Sequence, residues 1–300
     1  MSTDAIGDSR PHCPLCGREG QFSHRRADAR LNVHPTELHD VYRCEACRIW
    51  FGSPMDTQHL RDYYPDTYYE AHASPVLRFV SRWRAKRRAS VVAGGLEPGL
   101  YLDIGCGRGD LIVAMSDRGW AASGTDWNEE NAKAVADRLG VEVLGGQNAL
   151  RAVRSESLDA VSMFHVLEHD DDPKAFLEAV HQLLAPGARL VVAVPCGSSL
   201  VRALFGASWT GFDSPRHRVT FTRRALRRVL ESSGFEVISI RGQLIDELLD
   251  LRSTVGLWAS DRGLTSRLGK LAMVAVLVPA VLVARLFGFS SVVVARAVRC

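Results

Sequence analysis

The chain has 300 residues, 46% of them hydrophobic and 24% charged, which is ordinary globular composition with room for about two domains. That balance excludes a disordered, collagen-like or polytopic membrane protein. With 37 basic and 34 acidic residues the net charge is only +3, too small for a strongly cationic nucleic-acid binder.

The opening stretch, MSTDAIGDSRPHC, is polar and lacks the apolar core of a secretory signal. A cytoplasmic location is the expectation. The seven cysteines cannot all pair, and in a reducing compartment paired cysteines more readily bind metal. Cys13-Pro-Leu-Cys16 and Cys44-Glu-Ala-Cys47 are two C-x-x-C knuckles, each able to present two thiolates to one tetrahedral Zn2+. The gap between them exceeds the common spacing of roughly 15–20 residues, so a longer hairpin must intervene. Alternation over Asp40–Cys44 and Arg48–Phe51 predicts strands around the second knuckle. Residues 12–56 therefore read as a zinc-ribbon-like domain, with four unbound thiols as the alternative. Residues 57–98 read as a tyrosine-bearing linker and a leading helix, Val76–Ala93.

After Pro98 the chain alternates. Strands are expected at Leu100–Gly105, Ala121–Asp126, Val141–Leu144, Leu158–Phe164 and Arg189–Val194. Helices fall between them at Asp110–Arg118, Asn128–Leu139 and Pro173–Leu184. This alternation predicts a parallel sheet covered on both faces. A helix at Arg223–Ser232 leads into a strand at Phe235–Ile240. Residues 244–289 read as a helical insertion, and Ser291–Arg299 as the last strand. Within the insertion, Leu271–Ala284 is wholly apolar. At about 1.5 Å per residue it spans roughly 21 Å, short of a bilayer core of about 30 Å. The favoured reading is a buried helix pair between the last two strands; the alternative is peripheral membrane contact through 271–284.

The first of these strands runs into Asp103-Ile-Gly105-Cys106-Gly107-Arg-Gly109-Asp110. Glycine lets a backbone approach a ligand and adopt positive φ. A dinucleotide fingerprint would need glycine where Asp110 stands, so a pyrophosphate is disfavoured. Asp126 closes the second strand, where a carboxylate can accept ribose hydroxyls. Further along come Leu158-Asp159-Ala-Val161, His165-Val-Leu-Glu168-His169, Leu183-Leu184-Ala-Pro186-Gly187, Trp209, Asp213-Ser-Pro215-Arg216-His217 and Phe221-Thr222. In these residues the chain resembles the class I S-adenosylmethionine-dependent methyltransferase family, in a subgroup that acts on small molecules, sugars or lipids and carries an N-terminal zinc ribbon.

The resemblance implies an α/β, Rossmann-like seven-stranded sheet of order 3-2-1-4-5-7-6. It places S-adenosylmethionine against Asp103, Gly105, Cys106, Gly107, Gly109, Asp126, Trp127, Gln147, Asn148 and His165. Three departures stand out: Gly146-Gln147-Asn148 replaces an acidic residue after the third strand, Pro195-Cys196 replaces Pro-Asn, and Pro186-Gly187-Ala188 replaces Pro-Gly-Gly. An amide can still bond an adenine edge.

Methyl transfer depends on in-line alignment, and an oxygen acceptor also needs a base. His217 and His169, with Glu168 to orient an imidazole, are the candidates, His217 slightly preferred. Glu168 and His169 could instead cap the next helix, and a second metal at this cluster is a further reading. The expected activity is methyl transfer to a hydroxyl or carbon of a small metabolite, a sugar or lipid-linked glycan among them. The rivals are an RNA methyltransferase guided by the ribbon and a non-catalytic zinc-ribbon interaction protein. The partner expected is a small-molecule acceptor; DNA is not expected, and the charge disfavours RNA.

Overall fold

Two arrays of strands meet along one loop. In the first, β1 (Gln21–Ala27), β2 (Leu38–Cys44) and β3 (Ile49–Gly52) form an antiparallel meander. The computed structural model describes residues 11–27, 37–53, 63–64 and 75–300. The expected tyrosine linker lies outside the described residues, apart from Tyr63, Tyr64 and its final proline.

The leading helix α1 (Pro75–Ala93) precedes β4 (Leu100–Ile104), α2 (Asp110–Ser116), β5 (Ala121–Asp126), α3 (Glu129–Leu139), β6 (Val143–Gly145) and β7 (Leu158–Phe164). Then follow α4 (Pro173–Leu183), β8 (Leu184–Pro195), α5 (Leu200–Phe205), β9 (Val219–Thr220) and α6 (Arg223–Ser232). The chain ends with β10 (Phe235–Gly242), α7 (Leu244–Ser260), α8 (Arg267–Leu286) and β11 (Val292–Arg299). Local chemistry sets the helix starts. Asn128, Asp172 and Thr222 each accept a backbone N–H of the first turn, which removes one orphan donor per helix.

The main sheet has the order β10-β11-β8-β7-β4-β5-β6. Read from its other edge this is 3-2-1-4-5-7-6, the order the resemblance implies. β4 through β8 run parallel, and β11 is antiparallel to both neighbours. The period of two in a strand sends alternate residues to opposite faces. Tyr101, Ala160, Val191 and Val294 face α1 and α2. Leu102, Val161, Leu190, Val192 and Val293 face α4 and α6. Each such buried aliphatic side chain contributes about 1.5–3 kcal/mol. β8 begins earlier than expected, with a register shift between the Leu158–Leu184 and Ala160–Arg189 pairs.

The helix pair expected to be buried is not. α7 packs inward through Leu251 and Val255, but in α8 only Val281 is buried. A third cluster joins Trp50, Trp209, Phe212, Leu251, Val255 and Val281. It ties the meander, the chain after α5 and the insertion together.

Candidate active site

The parallel strands β4, β5, β6, β7 and β8 end at one edge, where open α/β sheets bind ligands. Gly105, Gly107 and Gly109 follow β4 with φ of 69°, 52° and 71°, a left-handed series that only glycine adopts cheaply. Their reasons differ. A Cβ on Gly105 would stand 2.5 Å from Val166, and one on Gly109 would stand 2.7 Å from Leu139. Among the described residues a Cβ on Gly107 would meet no atom within 4 Å, so there the turn faces open space.

Asp126 is buried at the end of β5. Its two oxygens accept the Gly107 and Asn128 N–H groups, each at 3.0 Å, which fixes the carboxylate beside the turn. Asp103 is also buried and accepts the Ser162 hydroxyl at 2.8 Å. Burial pushes Asp103 up to about 6, against the Ser162 hydrogen bond and the nearby Arg88 cation. Trp127 packs against Tyr64, with ring centroids 5.0 Å apart. Gln147 and Asn148 are exposed just beyond β6, while Gly146 N–H donates to the Asp126 carbonyl at 3.0 Å. Cys106 is buried, and desolvation holds its thiol protonated.

Beyond β7, His165 sits at φ 62°. A non-glycine residue held there is strained, and such strain gathers at functional positions. Its Nδ1 lies 3.2 Å from Glu168 Oε1. Leu167–His169 form a short 3-10 turn. His169 Nδ1 lies 2.9 Å from the Arg216 carbonyl, and His217 Nδ1 lies 2.8 Å from the Gly211 carbonyl. A carbonyl only accepts, so both Nδ1 atoms carry the proton and both Nε2 atoms present a lone pair. The two rings meet edge to face at 4.8 Å.

Glu168 is fully buried, and its Oε2 has no hydrogen-bond partner. Burial alone would raise its pKa, but the His165 hydrogen bond and the three neighbouring imidazoles hold it below the ordinary value. Burial pushes His217 down to about 4, only partly opposed by Asp213. One donor atom each from Glu168, His169 and His217 fall within 4.8 Å of one another. Such a set can orient a base or hold a divalent ion.

The four knuckle cysteines also converge, with sulfurs within 4.8 Å of one another. Each knuckle closes the same way. Gly17 N–H donates to the Cys13 carbonyl at φ 67°, and Arg48 N–H donates to the Cys44 carbonyl at φ 57°. Burial pushes the Cys13 thiol up to about 12. A tetrahedral cation that displaces the thiol protons would relieve that crowding.

The comparisons with known proteins agree with this geometry. A methyltransferase-domain family model matches residues 73–240. The chain belongs to this family. It is a class I S-adenosylmethionine-dependent methyltransferase. The ubiquinone biosynthesis O-methyltransferase of Idiomarina loihiensis is 28% identical over 161 residues, 49% of this chain and 65% of that protein. The protein of the same name from Psychrobacter arcticus is 37% identical over 108 residues, 33% of this chain and 41% of that one. The chain thus matches less than two thirds of the length of either relative. Among solved structures, a methyltransferase of Archaeoglobus fulgidus superposes with a TM-score of 0.52 at 19% identity, covering 81% of this chain and all of that one. A geranyl diphosphate C-methyltransferase of Streptomyces coelicolor gives 0.51 at 17% identity, covering 82% and 86%. At such identities these two speak for the fold alone.

The methyltransferase's own residues fit the cofactor. The open face at Gly107, the buried Asp126 carboxylate and the exposed amides of Gln147 and Asn148 suit an aminoacyl chain, a ribose and an adenine edge. The fold thus gathers the expected cofactor residues and the Glu168–His169–His217 cluster along one sheet edge, with the cysteines apart. Sequence reasoning missed the buried Arg216–Asp213 ion pair, whose Nη2 to Oδ1 distance is 2.6 Å. It also missed Tyr64, whose hydroxyl lies 3.3 Å from His169 Nδ1. Cys196, which stands where the resemblance implies an asparagine, is fully buried with its Sγ 3.2 Å from the Ser198 hydroxyl.

Proposed function

We propose that this methyltransferase moves a methyl group to a hydroxyl of a small metabolite, a sugar or lipid-linked glycan being within the acceptor class. The observation that carries the reading is the pair of imidazoles with Nδ1–H tied to backbone carbonyls beside a buried carboxylate. Such an arrangement accepts a proton at Nε2, which a hydroxyl acceptor must release as the methyl arrives. The names of the two relatives, both O-methyltransferases, support the same acceptor atom.

Asp103, the Gly105–Gly109 turn with Cys106, Asp126, Trp127, Gln147, Asn148 and His165 would hold S-adenosylmethionine, which supplies an electrophilic methyl on a sulfonium. Glu168 keeps His165 in its strained conformation and adds negative charge behind His169. Burial moves the preferred base from His217 to His169. His217 is nearly sealed from solvent and its low pKa makes it a weak base, whereas His169 is only half-buried. His217 then acts as a wall that positions His169. Cys13, Cys16, Cys44 and Cys47 would hold one structural Zn2+, and the ribbon would act by bracing the loop that carries His217. Incubation with labelled S-adenosylmethionine and a panel of hydroxylated metabolites tests the reading. Alkali-stable label in a small molecule is expected; label in RNA would favour an RNA acceptor instead.

A further inference from the structure

Among the described residues, the hairpin of α7 and α8 leaves one whole side of α8 without a protein partner. Burial along α8 follows the helical period. Met273, Val274, Leu277 and Val278 are half-buried and Val281 is buried against α7, with Leu251 and Val255 in the same cluster. The opposite face is apolar as well: Leu268, Val276 and Leu286 are 80%, 76% and 81% exposed. Leu271, Val283 and Phe287 extend this patch, and Phe289 follows it. A soluble surface rarely carries so long an apolar stripe without an occupant.

The charges around the stripe say which occupant. No Asp or Glu occurs after Asp261, while Arg262, Arg267, Lys270 and Arg285 fall in or beside α8. Arg252, Arg267 and Lys270 line a cleft of about 520 Å³ between the two helices, together with Gly256, Leu271 and Val274. Three cations sharing a cleft with apolar side chains match a lipid phosphate and its acyl chain. A second copy of the chain would set these cations against their own kind. Among the described residues α8 is also the one helix long and apolar enough to cross a bilayer. Its frame argues against crossing. The insertion leaves and re-enters the sheet at one place, where Gln243 N–H donates to the Val292 carbonyl at 3.2 Å. A crossing α8 would therefore need α7 to cross as well, and α7 carries Asp246, Glu247, Asp250 and Arg252.

We propose that α8 lies flat in the surface of an anionic phospholipid bilayer, with its outer apolar face among the acyl chains and Arg252, Arg267 and Lys270 on lipid phosphates. The inference is independent of the acceptor, and its readout is binding, not turnover. The test is flotation of the full chain with vesicles of phosphatidylcholine, with and without 30% phosphatidylglycerol, at two salt concentrations. Binding is expected only with the anionic lipid, and weaker at high salt. Arg267→Gln with Lys270→Gln should lower partition on the order of 30-fold. Val276→Asp with Val283→Asp should abolish flotation and leave S-adenosylhomocysteine affinity unchanged. Two results would overturn the proposal. One is equal recovery from vesicle and vesicle-free gradients. The other is a dimer in light scattering that the double aspartate variant converts to monomer.

Discussion

Trp50 and Thr220 are cross-strand partners, so β3 of the cysteine ribbon and β9 of the histidine loop share one antiparallel ladder. The Gly52 N–H donates to the Arg218 carbonyl at 3.1 Å, and the Arg218 N–H donates to the Glu168 carbonyl at 2.7 Å. Gly52 and Arg218 thus connect the ribbon to the backbone of Glu168. Trp50 also lies against Gly197, where a Cβ would come within 2.5 Å of its ring.

That connection gives the cysteines a measurable role. Cys13→Ser with Cys44→Ser should remove one Zn2+ per chain by elemental analysis. Turnover should fall at least tenfold, because the ladder that holds 217–220 loses its frame. S-adenosylhomocysteine affinity should change little, since the glycine turn lies on other strands. In the intact protein a thiol reagent should find Cys300 quickly, because Cys106 and Cys196 are buried. Four more thiols should react after chelation. Rapid reaction of five thiols without a chelator would refute a bound ion.

The cofactor pocket can be probed separately. Asp126→Ala removes a buried charged acceptor, and losing a hydrogen bond to a charged group costs about 1.5–3 kcal/mol. Calorimetry with S-adenosylhomocysteine should show roughly a 10- to 100-fold weaker complex. Gly107→Val puts a side chain into the open space beside the turn and should weaken binding at least as much. Unchanged affinity in both variants would displace the cofactor from this turn.

The parallel sheet was legible in the sequence because its strands are continuous apolar runs bounded by glycine and helix caps. Asp126 and the glycines were legible because the turn needs those residue types at that spacing. β9 was not, since two residues carry no period. Its partner β3 lies more than a hundred residues away, so no local signal announces the ladder. The apolar run in α8 was read from its composition as core. Composition cannot tell an apolar face with a protein partner from one without, and in the structure α7 covers only one stripe. The burial that separates His217 from His169 was likewise not legible, because exposure is a tertiary property.

The pH dependence of stability follows from two groups. The folded pKa of His217 lies near 4, below its ordinary 6.5, and that of Glu168 also lies below its ordinary value. In both cases the unfolded chain binds more protons as pH falls. Stability is therefore full above about 6.5 and is lost on acidification towards 4. His217 alone accounts for on the order of 3 kcal/mol. Urea denaturation from pH 7.5 to 4.5 should show this loss, and His217→Gln should flatten the slope. An identical slope in the variant would mean that His217 keeps an ordinary pKa.

Base catalysis and metal binding at the Glu168 cluster separate by chemistry. His169→Ala should lower turnover about 10²- to 10⁴-fold with cofactor affinity kept. Glu168→Gln, which retains size but loses charge, should shift the pH profile of kcat and reduce it less. Protein that keeps its Zn2+ but is passed over a weak chelator should retain full turnover. A requirement for added Mg2+ or Mn2+ would instead assign the three side chains to a metal.

The most direct measurement is single-turnover methyl transfer, from methyl-labelled S-adenosylmethionine to a hydroxyl-bearing acceptor drawn from a metabolite extract, in wild type and His169→Ala. Wild type should place label in an alkali-stable ether, and the variant should bind S-adenosylmethionine equally but transfer at least 100-fold more slowly. Equal transfer by the two proteins, or label found only on carbon, would contradict a histidine-assisted O-methyltransferase.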